Sequence, residues 1–199
     1  MEQAEALEIM LGGNSVVLAG SGGSGKSYTL RQFIERNRLL GRKTAVTATT
    51  GLAASHINGQ TLHSWARVGL GKELPNDWQF TISKKKRKEF QTTATLVIDE
   101  VSMMPDFLFD MLDTVLRWAR NDDRPFGGIQ LILCGDFYQL PPVEGKFITN
   151  SKVWNELNIR SCYLTRVYRQ KDDRLRDLLE GIRGGKLFKR HIALVQSRM

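Results

Sequence analysis

"SVVLAGSGGSGKSYTLRQFIERNRLL" runs from Ser15 to Leu40 and joins three unlike pieces. "SVVLAG" is a short, mostly apolar run and reads as a strand. "GSGGSGKS", Gly20 to Ser27, fits the spacing G-x-x-x-x-G-K-[ST]. From Lys26 onward, apolar residues recur at helical spacing (Leu30, Phe33, Ile34, Leu40), and Gly41 follows as a stop signal. Strand, glycine loop and helix in this order are the context in which the spacing forms a phosphate cradle. Gly20, Gly22, Gly23 and Gly25, with Ser24 among them, let backbone N–H groups turn inward around phosphates. The helix N-terminus adds a positive field. Lys26 is placed to reach the β- and γ-phosphates of ATP, and Ser27 to hold Mg²⁺.

Further strands follow the first. "KTAVTA" is a second, "TLVID" (Thr95 to Asp99) a third and "IQLILC" a fourth. "QAEALEIML" (Gln3 to Leu11) and "DFLFDMLDTVLRWAR" (Asp106 to Arg120) read as helices. Strands alternating with helices predict an α/β fold with a parallel sheet and ligands at the carboxyl ends of the strands. Residues of about 66–94 break the pattern, with few apolar positions, several turn signals and the basic run "KKKRK" (Lys84 to Lys88). They read as a small insertion on the surface of the domain. The basic run is open to three readings: a nuclear address, a DNA-facing patch or a solvated helix face. After Gln170, "KDDRLRDLLEGIRGG" reads as a charged helix ending at Gly184 and Gly185. The last stretch to Met199 carries no recognisable motif.

"LVIDE" delivers two adjacent carboxylates to the sheet edge. Asp99 can hold the Mg²⁺ shell, and Glu100 can orient and deprotonate an attacking water. Hydrolases commonly have two acids here, so the pair points to nucleoside triphosphate hydrolysis. "CGDFYQLPPV" (Cys134 to Val143) ends the fourth strand and presents Gln139. An amide donates and accepts, so it can bridge a γ-phosphate oxygen and a water. Spacing alone fits equally well a polar turn stiffened by Pro141 and Pro142.

The bulk composition sets bounds. The chain has 199 residues, enough for one sizeable α/β domain. It carries 29 Lys+Arg against 21 Asp+Glu, a formal +8 that favours polyanionic partners. Cys134 and Cys162 are too few for a disulfide framework, and Cys134, at a strand end, reads as buried and inert. His56, His63 and His191 form no metal-ligand pattern with them. The N-terminal "MEQAEALEIM" lacks a signal pattern, and no apolar run approaches membrane-spanning length. The expectation is an intracellular, reduced protein: nucleus or mitochondrion if eukaryotic, cytoplasm if bacterial or phage.

Together these residues resemble the PIF (petite integration frequency) family of superfamily-one DNA helicases. The resemblance runs from about Gln3 to Gln170. It is strongest in "TATTGLAASHINGQTLHSWARVGLG", "LVIDEVSMM", "RPFGGIQLILCGDFYQLPPV" and "LTRVYRQ". It implies a RecA-like P-loop ATPase lobe over residues 1–170 and 5′-to-3′ movement on single strands. It also implies duplex unwinding in replication, repair, recombination or telomere maintenance, with ATP and Mg²⁺ as cofactors and single-stranded and forked DNA as partners. Gln3 takes the position of a glutamine that reads adenine, although an exposed helix residue is the other reading. Lys26, Glu100, Gln139 and Arg169 become the catalytic set, with Arg169 contacting the γ-phosphate. Thr50, Gly51, Thr61, His63 and Ser64 become DNA-binding candidates, because hydroxyls and amides at helix N-termini hold phosphates. Trp65 reads as core rather than as a base-stacking platform.

Three departures stand out. Gly23 and Ser24 replace the family's usual small residue and threonine. Arg67 stands where glycine is expected. A second RecA-like lobe, which such helicases need, does not fit after Gln170, so residues 171–199 are expected to lead toward one outside this chain. An ATP-regulated single-stranded-DNA-binding module without unwinding activity is the alternative; a P-loop kinase or metabolic ATPase has no use for "TLHSW" or Arg169.

Overall fold

The computed structural model describes residues 1–168 and 172–198. Its centre is a parallel sheet. Strand β1 (Ser15–Gly20) lies between β5 (Gln130–Gly135) and β6 (Ile159–Leu164). Beyond β5 come β4 (Thr95–Asp99), β2 (Thr44–Ala48) and the two-residue β3 (Gln60–Thr61), all parallel. Val16, Val17 and Leu18 of β1 and all five residues of β4 are buried. Strands apolar on both faces need cover on both faces, which is why the order β3-β2-β4-β5-β1-β6 is sandwiched between helices.

Alternation along the strands assigns the layers. Leu96 and Ile98 point to one side with Leu131 and Leu133; Val97 points to the other with Ile132 and Cys134. The first side is covered by α7 (Asp106–Arg120), whose Leu108, Phe109, Leu112, Val115 and Leu116 are buried. The second is covered by α1 (Gln3–Leu11) and α2 (Lys26–Leu39), through Ala6, Met10, Leu30 and Phe33. The expected RecA-like α/β architecture is therefore present, with its four anticipated strands in place.

Strand β6 was not anticipated. It is an edge strand with Arg160, Ser161 and Tyr163 exposed, so only Cys162 and Leu164 are buried and no apolar run announces it. Beyond it, α8 (Asp173–Arg183) matches the expected charged helix. The stretch without a motif forms α9 (Lys189–Gln196), held by buried His191, whose Nε2 lies 2.8 Å from Asp177.

The stretch 66–94, expected as an insertion, is more firmly anchored than its composition suggests. It carries α5 (Trp78–Thr81) and α6 (Lys84–Thr92). Phe90 of α6 is fully buried, edge-on to Trp65 at 5.0 Å, and Trp65 is core as expected. Two residues of the basic run serve this packing. Lys86 lies over Trp65 and Phe90, and Arg87 stacks on Trp118 while donating to the last carbonyls of α7. Lys84, Lys85 and Lys88 face solvent. From the other direction, Arg120 donates to the carbonyls of Phe90, Gln91 and Thr93, closing the C-terminal end of α6 against α7. Snorkelling stems and carbonyl caps account for part of the basic run without invoking a ligand.

The departure at Arg67 has a visible backbone consequence. Arg67 ends α4 (Leu62–Ala66) in the left-handed region, at φ 58° and ψ 24°. A side chain there costs about 1–2 kcal/mol relative to glycine, and glycine's extra unfolded-state freedom returns about 0.5–1 of it. Arg67→Gly should therefore stabilise the domain by about 0.5–1 kcal/mol, raising the melting temperature by about 1–4 °C in a thermal scan.

Candidate nucleotide and DNA site

Among the described residues, every candidate except Gln3, which opens α1, lies at or just beyond a strand end on the carboxyl edge of the sheet. The loop Gly20–Ser27 follows β1 and opens α2, with Gly23 and Gly25 at positive φ (86° and 91°). Lys26 Nζ donates to the carbonyls of Gly20 (2.8 Å) and Ser21 (3.2 Å), which holds the ammonium inside the loop. Ser24, one of the departures, is fully buried, and its hydroxyl has no partner among the described residues. Ser27 is exposed at the start of α2.

Gln3 is tied to this loop. Its Nε2 donates to the Ser24 carbonyl at 3.2 Å, and a Cβ on Gly25 would lie 1.9 Å from that nitrogen. Gly25 is required by its backbone angle, and a side chain there would also displace the flexible Gln3 amide from the loop. The reading of Gln3 as a free surface residue is set aside by this contact. Tyr168 also reaches the loop, its amide donating to Gly23 O at 2.8 Å. Arg169 lies outside the described residues.

The acid pair sits beside the loop. Asp99 is buried, and its Oδ1 accepts the Glu100 amide at 2.9 Å. Glu100 adopts a left-handed conformation, φ 53° and ψ 41°, a strained geometry that turns its side chain out of the strand direction. Burial pushes the Glu100 carboxyl above its ordinary range, and the neighbouring Asp99 and Asp136 carboxylates add to this while Lys26 opposes it. A carboxylate whose proton affinity is raised is a better base for water. Gly135 lets β5 approach this turn: a Cβ there would stand 3.1 Å from the Val101 amide.

Gln139 meets the same place from β5. Its backbone amide donates to Asp136 O at 2.9 Å and its Nε2 to Asp136 Oδ2 at 3.3 Å. Gly22 is the nearest loop glycine, with its virtual Cβ 4.0 Å from that Nε2. The polar turn read in "CGDFYQLPPV" is present, closed on Asp136, and it places the Gln139 amide beside the phosphate loop.

The DNA candidates follow β2 and β3. Thr50 N-caps α3 (Gly51–His56), its hydroxyl oxygen accepting from Ala53 N at 3.2 Å; Thr61 N-caps α4 in the same way, from Ser64 N at 3.3 Å. Each cap oxygen is used internally, which leaves its O–H free to donate outward. Gly51 and Ser64 are exposed, and His63 is half-buried, with burial holding its imidazole below the ordinary value and so neutral near pH 7. Two residues absent from the sequence expectations join these parts. Thr49 donates from its hydroxyl to Glu100 O (3.0 Å) and from its amide to Asp99 O (3.2 Å). Arg183 of α8 reaches Asp136 Oδ2 at 2.5 Å. Both are long-range pairings that no local spacing announces.

The PIF1-like helicase family model matches residues 2–184. The chain belongs to the PIF1-like helicase family. Over 192 residues it is 46% identical to the ATP-dependent DNA helicase PIF1 of Emericella nidulans, covering 90% of this chain and 26% of that protein. Among solved structures, Pif1 helicase of Candida albicans superposes with a TM-score of 0.88 at 41% identity, over 94% of this chain and 44% of that one. Bacteroides Pif1 in complex with ADP-AlF3 and ssDNA gives 0.84 at 30% identity, over 98% and 49%. The chain thus spans about a quarter to a third of the curated PIF1-like helicases it matches. No helix among the described residues is long and apolar enough to cross a membrane.

Mg²⁺ fits the donors present. It favours one or two carboxylates with hydroxyl, water and phosphate oxygens, and Asp99 with Ser27 is such a set. Among the described residues no larger His, Cys, Asp or Glu cluster competes for a metal.

The direction of the Glu100 shift carries a stability consequence. A carboxyl whose folded pKa is raised is protonated more readily in the native state, so its ionised form costs stability above that pKa. Glu100→Gln should melt above the parent at pH 7, and the gap should close as pH falls below about 4.5, where both folded and unfolded carboxyls are protonated. Thermal scans across that range check it.

Proposed function

We propose that this chain is the first RecA-like lobe of an ATP-dependent 5′-to-3′ DNA helicase acting on single-stranded and forked DNA. The observation that carries this reading is Thr49. It follows the strand that presents Thr50 and Gly51, and both its bonds end on the carbonyls of Asp99 and Glu100. A strand-gripping loop and a hydrolytic pair are thereby joined through one residue. The names of the relatives, and neighbours solved with ssDNA, support the same substrate class.

In this reading the loop amides and Lys26 hold the phosphates, and Gln3 borders the base. Glu100 takes the proton of the attacking water, and Gln139 senses the γ-phosphate. Arg169 neutralises charge on the transferred group. Ser27 and Asp99 would hold Mg²⁺, which would supply positive charge to offset that of the phosphates. Thr50, Gly51, Thr61, His63 and Ser64 grip DNA phosphates, with His63 acting as a neutral hydrogen-bonding group. A second lobe, toward which residues 171–199 lead, completes the nucleotide site. Its closure and reopening move the strand by differential grip in the two states.

Three measurements on the protein carrying both lobes test this. Glu100→Gln should keep Mg·ATP binding and lose DNA-stimulated phosphate release by about 10²–10⁴-fold, the contribution of a general base; normal turnover removes the assignment. Gln139→Ala should break the coupling between ATP turnover and unwinding, and parent levels of both contradict the sensor role. Single-strand affinity should fall steeply between low and moderate salt. Absence of DNA-stimulated phosphate release from the parent protein favours a binding module without unwinding activity.

A further inference from the structure

The buried carboxylate of Asp136 serves three donors. Its Oδ2 accepts Gln139 Nε2 at 3.3 Å and Arg183 Nη1 at 2.5 Å, while its Oδ1 accepts the Tyr138 amide at 3.2 Å. Arg183 is the last residue of α8, some 47 residues further along the chain. Its guanidinium is clamped on two more sides. Nη2 donates to the Tyr163 hydroxyl of β6 at 3.2 Å, and the plane lies 4.4 Å from the centre of the Tyr138 ring. Ser21 and Gly22 of the phosphate loop, together with Asp136, Tyr138, Gln139 and Arg183, line one cavity of about 340 Å³ between the loop and α8.

Charge decides what this contact does. Burial raises the Asp136 carboxyl, but the bonds from Arg183 and the Tyr138 amide outweigh it, and the group is held below its ordinary range; Lys26 of the phosphate loop acts in the same direction. Asp136 is therefore an ionised, buried acid within the field of the site that must receive a polyphosphate. Unpaired, it would repel the terminal phosphate and draw on Lys26 instead. It would also lose the partner that fixes the oxygen on which the Gln139 amide rests.

We infer that Arg183 is a positioning residue for γ-phosphate recognition, acting through Asp136 to hold Gln139 over the phosphate loop and to neutralise the acid beside it. The inference rests on the reading of Gln139 as the γ-phosphate sensor. It makes α8, a helix outside the phosphate-loop and acid-pair motifs, a component of nucleotide discrimination. A shift of α8 that withdraws Arg183 would be felt at the loop as altered preference for triphosphate over diphosphate.

The test is the affinity of the protein carrying both lobes for Mg·ATPγS and for Mg·ADP, measured by calorimetry in parallel for four variants. Arg183→Ala should weaken ATPγS by about tenfold, within the range of ordinary coupling energies, and leave ADP unchanged. Arg183→Lys, which keeps the charge, should recover much of the loss and also guards against a failure of the alanine variant to fold. Adding Asp136→Asn to Arg183→Ala should restore ATPγS binding, because the uncompensated charge is gone. Equal losses for both nucleotides, or no rescue by either route, would mean a merely structural contact and overturn the inference. Gln139→Ala separates the two levels. If it loses discrimination while Arg183→Ala does not, the Arg183 link alone is wrong; if neither loses it, the sensor reading fails and the link with it.

Discussion

Burial of the central strands on both faces governs where chemistry can occur. Val16 to Leu18, Leu96 to Ile98 and Leu131 to Cys134 offer no polar side chain to either helical layer. Polar function is confined to where those strands stop. Parallel alignment brings all the stops to one edge, so the phosphate loop after β1, Asp99 and Glu100 at and just after the end of β4, and Asp136 after β5 become neighbours without being close in sequence. The DNA candidates occupy the same edge, after β2 and at the end of β3.

That convergence concentrates like charge. Asp99, Glu100 and Asp136 lie together, and the site must also accept phosphates. Two cations oppose them from different directions: Lys26 from the loop and Arg183 from α8. Glu100 is left with the least compensation, in a strained backbone conformation and with its proton affinity raised. In the proposed reading of Glu100 as the base, stability given up at that residue supports its reactivity, a common relation between active sites and folding. Asp136 shows the opposite arrangement, since full pairing keeps it ionised and fixed.

The parts legible in sequence were those whose meaning is local. The loop Gly20–Ser27 shows its strand, turn and helix within one stretch, and "TLVID" shows a buried strand ending in an acid. Trp65 was legible as core for the same reason. Strand β6 was not, because an edge strand alternates and Arg160 and Ser161 conceal it. Lys86 and Arg87 looked like generic basic surface, yet their stems and guanidinium complete the packing of α6 on Trp65, Phe90 and Trp118. Thr49 and Arg183 gain their meaning only from partners 47 or more residues away, and Asp136 joins Arg183 to its own neighbours Tyr138 and Gln139. Local propensity carries no trace of such pairings, whereas the resemblance to a helicase family carried roles for individual residues but not the contacts that hold them.

Those contacts suggest how one edge can report on two ligands. Thr49 holds the main chain of the acid pair from the side where DNA would lie, and Arg183 holds Asp136 and Gln139 from the side of α8. Neither residue needs to touch nucleotide to matter. A displacement at Thr50 and Gly51 would be transmitted through Thr49 to the carbonyls of Asp99 and Glu100. A displacement of α8 would be transmitted through one shared carboxylate oxygen to a glutamine amide. The first path ends in the strained, half-buried turn at Glu100, the proposed base, where small movements have few ways to be absorbed; the second ends on the exposed Gln139, the proposed sensor. Coupling between strand grip and hydrolysis can then reside in hydrogen bonds of ordinary length, placed where the sheet leaves no slack.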